Sequence, residues 1–170
     1  MKSLAHRCFA AALALALFSC SPFQPSPYLV EERAAFEMAA DLAAGRTRAI
    51  EISKAYLSRI GDIDPALGAV LALSPRAVDE ARASDARREN GTARSAFDGI
   101  PILVKDNIDI AGIATTAGSL ALLANVPVRN APLVDRLMGA GAVVLGKANL
   151  SEWANIRGDK SISGWSAVGG

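Results

Sequence analysis

The sequence predicts an α/β protein built on a mixed, largely parallel sheet and preceded by a helical lead-in. Three observations carry this. Short apolar, partly β-branched runs recur at Ala69–Leu73, Gly99–Val104 and Ala142–Leu145, as buried strands do. Between them lie segments with apolar residues at helical spacing. Aromatic residues make up only 5% of the chain, against many alanines and glycines, which favours helices packed closely on a sheet over an aromatic-rich sandwich.

The elements follow in order. From Val30 to about Ala44, Ala35, Met38, Ala39 and Leu42 give one apolar helix face, stopped at Gly45. Thr47 is the expected cap of a second helix, in which Ile52, Tyr56, Ile60 and Ile63 share a face. Glu51 falls one residue too late for a capping box with Thr47. Asp64-Pro65 is expected to end that helix, and Ala69–Leu73 is a strand. Ser74 and Pro75 read as the N-cap and first position of a third helix running to Asn90-Gly91. After the central strand, Ala111–Pro127 is rich in Gly, Thr, Ser and Ala, and apolar enough to tuck against the body. Asn130 is the expected cap of a fourth helix with Leu133, Val134, Leu137 and Met138 inward and a stop at Gly139 or Gly141. Ala142–Leu145 follows as a strand, so strand, helix and strand predict a right-handed parallel crossover. A short helical turn is expected around Ser151–Trp153.

Composition excludes several functions. The 18 Lys+Arg nearly balance the 17 Asp+Glu, so nothing points to a nucleic-acid surface or an acidic tail. Residues 1–19 read as a signal peptide: Lys2 and Arg7 lead an apolar stretch, Cys8–Phe18, too short for a bilayer span of ~20 residues. Its ending, Leu17-Phe18-Ser19-Cys20, resembles a bacterial lipobox, which makes Cys20 the expected lipidation site and the cell envelope the expected location. Pro22, Pro25 and Pro27 make residues 20–29 an extended tether. With the signal peptide removed the chain holds no histidine and one cysteine, so Cys/His zinc sites and His-based triads are excluded. Proton transfer then falls to a carboxylate, a tyrosine or a lysine.

The candidate is Lys105, at the end of Gly99-Ile-Pro-Ile-Leu-Val-Lys-Asp-Asn107. In open α/β sheets, ligands sit at the carboxyl ends of strands. Unpaired lysines are almost never fully buried, so a plain surface charge is the competing reading. If desolvated, the ammonium's pKa falls from about 10.4 towards neutrality, and the free amine can serve as a base. In a chain without histidine that is the natural route to an activated serine. Asp106 and Asn107 are candidates to hold neighbouring loops, or simply form a polar turn. Gly141-x-x-x-x-Gly146-Lys147 matches most of a phosphate-binding loop. Its intervening Ala-Val-Val-Leu wants to be a buried strand, however, and Ala148 replaces the magnesium-binding Ser/Thr.

Several stretches together are specific. Gly99–Ile108, Thr115-Thr-Ala-Gly-Ser119, Gly141–Ala154 and Gly164-Trp-Ser-Ala-Val-Gly-Gly170 resemble the amidase signature family, closest in wording to its peptide-amidase-like branch. The resemblance runs over about residues 30–170, and Ala96-Phe97-Asp98 departs from it where a Leu-His pair is common. It implies an α/β/α layered fold and hydrolysis of a small amide or peptide amide, with no metal or organic cofactor. It also implies a serine nucleophile, a second serine in a cis peptide, and Lys105 as the base. Neither serine carries over onto Ser119, Ser163 or Ser166, so the expected domain is incomplete at its C-terminal end and the 170-residue chain inactive alone. The alternative is a non-catalytic exported binding module that keeps the front of the fold. Its Gly/Ser-rich ending speaks against that, because the sheet edges would stay open.

Overall fold

The computed structural model describes residues 28–156, 160 and 162–170. The expected signal peptide, Cys20 and nearly all of the tether lie outside the described residues. Among those described, four α-helices and three strands follow in the order α1 (Ala35–Ala43), α2 (Ala49–Leu67), β1 (Val70–Leu73), α3 (Ala77–Glu89), β2 (Pro101–Lys105), α4 (Pro132–Gly139) and β3 (Val143–Ala148). Among the described residues no helix is long and apolar enough to cross a membrane.

The sheet order is β1-β3-β2, with β3 parallel to β2 and antiparallel to β1. This is a mixed sheet with one parallel pair, formed across α4. As the central strand, β3 is buried on both faces, which explains its unbroken apolar run. Its alternation sends Val143 and Leu145 to one side, against Met38, Leu42, Ile52, Ala77 and Ala81 from the three lead-in helices. Val144 goes to the other, against Val104, Ile110, Ile113 and Val134.

Several boundaries differ from expectation, for identifiable reasons. Helix α2 begins after Arg48, whose amide donates to the Glu51 carboxylate at 3.1 Å. Its first free amides are taken from outside the helix: Asp85 of α3 accepts Ala49 N at 2.6 Å and Ile50 N at 3.2 Å. Nor does α2 stop at Asp64-Pro65. Proline in the last turn forfeits a single helix bond, and the chain turns at Gly68 while the Asp64 carboxylate accepts Ala69 N at 2.8 Å. Ser74 and Pro75 form a turn before α3 instead of capping it, with Ser74 Oγ accepting Arg76 N at 3.3 Å. Asn130 likewise precedes the cap of α4. Its side chain accepts Ala111 N at 2.7 Å, tying the preceding loop to the helix start. Of α4's expected inward residues, Val134 is fully buried and Leu133 is largely exposed.

The approach to β2 is built by Asp98 and Gly99. The buried Asp98 carboxylate accepts Arg87 Nε at 2.9 Å, Arg87 Nη2 at 2.6 Å and Arg94 N at 2.8 Å. Burial alone would raise its pKa, but these donors outweigh it and bring it to about 2. Gly99 has φ +90°, and a Cβ there would stand 2.7 Å from Ala49 Cβ and from Ser84 Oγ. The chain can pass between α2 and α3 at that point only as glycine.

Candidate active site

β2 ends at Lys105, which pairs with Ala148 of β3, and the Lys105 side chain is exposed. The next residue turns inward. Asp106 donates its amide to Ala148 O at 3.0 Å, extending the ladder by one bond, and its carboxylate is buried. Lys105 O accepts Ile108 N at 3.0 Å, closing a tight turn at the strand end. Asn107, on the outside of that turn, is exposed.

Asp106 organises the Thr115–Ser119 loop. Its Oδ2 accepts Thr116 N at 3.0 Å and the Thr116 hydroxyl, and its carbonyl accepts Ala117 N at 3.0 Å. Thr116 Oγ1 in turn accepts Gly118 N at 3.0 Å. Gly118 has φ +75°, and a Cβ there would meet Ser166 Cβ at 2.7 Å. From the far side the loop is met by Trp153 N, which donates to Ala117 O at 2.9 Å, and by Val168 N, which donates to Gly118 O at 3.2 Å. A cavity of about 460 Å³ opens beside Ser119, walled by Glu152, Trp153, Asn155 and Trp165.

The other occupant of this region is Lys147. Its side chain is fully buried, with Nζ 3.1 Å from Asp106 Oδ1. The same ammonium donates to Ile108 O at 2.8 Å, Thr115 Oγ1 at 2.8 Å and Ala114 O at 3.4 Å. Burial draws its pKa below the ordinary lysine range, with Asp106 and, more weakly, Asp109 pulling the other way.

The family model named Amidase matches residues 51–164, which spans β1, β2, β3 and the whole Lys105–Ser119 region. The chain belongs to the amidase signature family. The peptide amidase of Stenotrophomonas maltophilia has a solved structure 50% identical to this chain, with a TM-score of 0.79 over 82% of this chain and 29% of that one. A glutamyl-tRNA(Gln) amidotransferase component from Chloroflexus aggregans is 46% identical over 114 residues, covering 66% of this chain and 23% of the relative. A probable amidase of Arabidopsis thaliana is 43% identical over 122 residues, 70% of this chain and 24% of the relative. The chain thus spans about a quarter of the length of these amidase relatives.

Set against the sequence reading, Lys105 stands at the carboxyl end of a strand, as expected of it, but solvated and not desolvated. Asp106 holds a loop, and Asn107 is exposed on the outside of the turn. The three serines that the resemblance left without a catalytic role are otherwise engaged: Ser166 Oγ donates to Asn149 Oδ1 at 2.9 Å, Ser163 Oγ accepts Asn155 Nδ2 at 2.9 Å, and Ser119 is buried in the loop turn beside the cavity. Lys147 was missed. Its one sequence signal was a lysine continuing a buried apolar run in the strand Val143–Ala148, where a charge needs a buried partner.

Proposed function

We propose that this amidase-family chain is the front of an enzyme that hydrolyses a small amide or peptide amide, with Lys105 as the proton-accepting base. The observation that carries the reading is Lys105 at the carboxyl end of the parallel strand β2, inside the stretch matched by the family. The Lys105 side chain is exposed here. Covering it would disfavour the charged form and free the amine to take a proton through a bridging serine from the nucleophilic serine. The resemblance implies both serines, and neither is among Ser119, Ser163 and Ser166. The cavity walled by Trp153, Trp165 and Glu152 offers an apolar, partly acidic surface beside the loop. Residues 1–29 are read as an export signal and tether that leave the protein lipid-anchored at Cys20 in the cell envelope.

A graft tests the catalytic part. Residues 28–170 replace the matching stretch of the Stenotrophomonas peptide amidase, and the chimera is assayed on C-terminal peptide amides. The expected result is turnover that Lys105→Ala lowers by about 10²–10⁴-fold without loss of fold. A folded chimera with no turnover, or turnover indifferent to Lys105, sinks the reading. The anchor is tested separately by the intact mass of the membrane-bound protein, which should carry a lipid at an N-terminal Cys20.

A further inference from the structure

Lys147 and Asp106 form a sealed unit outside the catalytic role just proposed. The lysine is 0% exposed and the aspartate 1%, so neither charge has water to fall back on. Each uses most of its bonding capacity on backbone and hydroxyl groups of one short region. The ammonium reaches Ile108 O, Ala114 O and Thr115 Oγ1, and the carboxylate reaches Thr116 N and the Thr116 hydroxyl. Those groups belong to the turn that follows Lys105 and to the loop that faces it. The register fixes the rest. Lys147 pairs with Val104 and Ala148 pairs with Lys105, so the ammonium is anchored on the strand directly beside the one that carries Lys105.

We propose that Lys147 is a positioning residue: through Asp106 its buried ammonium sets, as one piece, the strand end that presents Lys105 and the Thr115–Ser119 loop. The physical reason is the asymmetry of buried ion pairs. Such a pair adds little net stability over apolar residues of the same shape, yet removing one partner leaves an uncompensated charge. The geometry is therefore all-or-none, since Asp106 cannot turn away from Thr116 without stranding Lys147. An arginine at position 147 keeps the charge, but its planar fork does not reproduce a compact ammonium among the four oxygens of Asp106, Ile108, Ala114 and Thr115. The proposal rests on the amidase reading only in naming Lys105 as the group positioned; the coupling of turn and loop stands without it.

Residue-resolved amide hydrogen exchange on the 170-residue chain tests the coupling without any activity. In Lys147→Met, exchange at Thr116, Ala117 and Gly118 should rise at least 100-fold, whereas Ala49 and Ile50, held by Asp85 on the other side of the sheet, should change less than threefold. Equal acceleration at both places, or none at the loop, overturns the proposal. Should Lys147→Met fail to fold, the double variant Lys147→Met/Asp106→Leu removes both charges. It should fold and show the same selective opening at Ala117 and Gly118, and an unchanged loop there overturns the proposal. In the chimera, Lys147→Met should lower kcat at least tenfold with KM within threefold, and Lys147→Arg should fail to restore it. A loss confined to KM, or full rescue by arginine, argues against positioning. If exchange behaves as expected while the chimera is inactive, it is the amidase reading that fails.

Discussion

Across the central strand β3, the two sides of the sheet are closed by different means. Towards α1, α2 and α3 the closure is mainly apolar: Met38, Leu42, Ile52 and Ala81 pack on Val143 and Leu145, and the buried carboxylates of Asp85 and Asp98 hold amides and an arginine around that layer. On the other side the apolar cluster of Val104, Ile110, Ile113, Val134 and Val144 gives way, where Lys105 emerges, to a polar closure built from a buried lysine, a buried aspartate and two threonines. An apolar layer can deform and repack with graded losses. A satisfied polar network has one arrangement and fails abruptly when a member is removed. The rigid half is the one that carries the candidate catalytic lysine.

The largest expected effect comes from breaking the polar half. Lys147→Met should destabilise the chain by about 3–5 kcal/mol, read as a lowered urea midpoint, with Lys147→Met/Asp106→Leu recovering most of the loss. A single variant as mild as the double would erase the contrast. Next, Ile52→Ala on the apolar side should cost about 3 kcal/mol, and Ile52→Val about 1 kcal/mol, a graded series that calorimetry can resolve.

Acid sharpens the comparison. Asp98 sits at about 2 in the folded state, below the ordinary carboxylate value of 3.8. A depressed carboxylate contributes stability that is complete above about pH 4 and lost as the pH falls towards 2. The expected loss across that window is about 1–2 kcal/mol, and Asp98→Asn should flatten it. Smallest is the borrowed cap: Asp85→Ala frees Ala49 N and Ile50 N and should cost about 1 kcal/mol, seen as faster exchange at those two amides alone.

How much of this was legible follows from the range of each interaction. The strands Val70–Leu73 and Pro101–Lys105, the end of α3 at Asn90-Gly91 and the exit of Lys105 are written in local pattern, and the sequence reading finds them. Helix starts were read less well because their partners are distant: α2 is capped by Asp85, which only folding brings near, and Thr47 serves Glu51 instead, donating to its carboxylate at 3.0 Å. Lys147 hid for the same reason. A lysine after Val-Val-Leu-Gly becomes a buried cation only once β2 pairs with β3 and puts Asp106 within reach. Pattern alone linked it to a phosphate loop, a comparison that the strand geometry of Val143–Ala148 excludes.

The strand order has a consequence for synthesis. Since β3 lies between β1 and β2 but follows both in the chain, neither earlier strand has, among the described residues, a neighbour to pair with until residues 143–148 exist. Between Lys105 and Val143 lie roughly 40 residues, which at about 5–20 residues per second is some 2–8 s of translation. Through that interval the nascent chain carries Ile-Leu-Val as an open, β-prone edge. A chaperone that engages short apolar strands would find its window there, and slow codons between α4 and β3 would lengthen it.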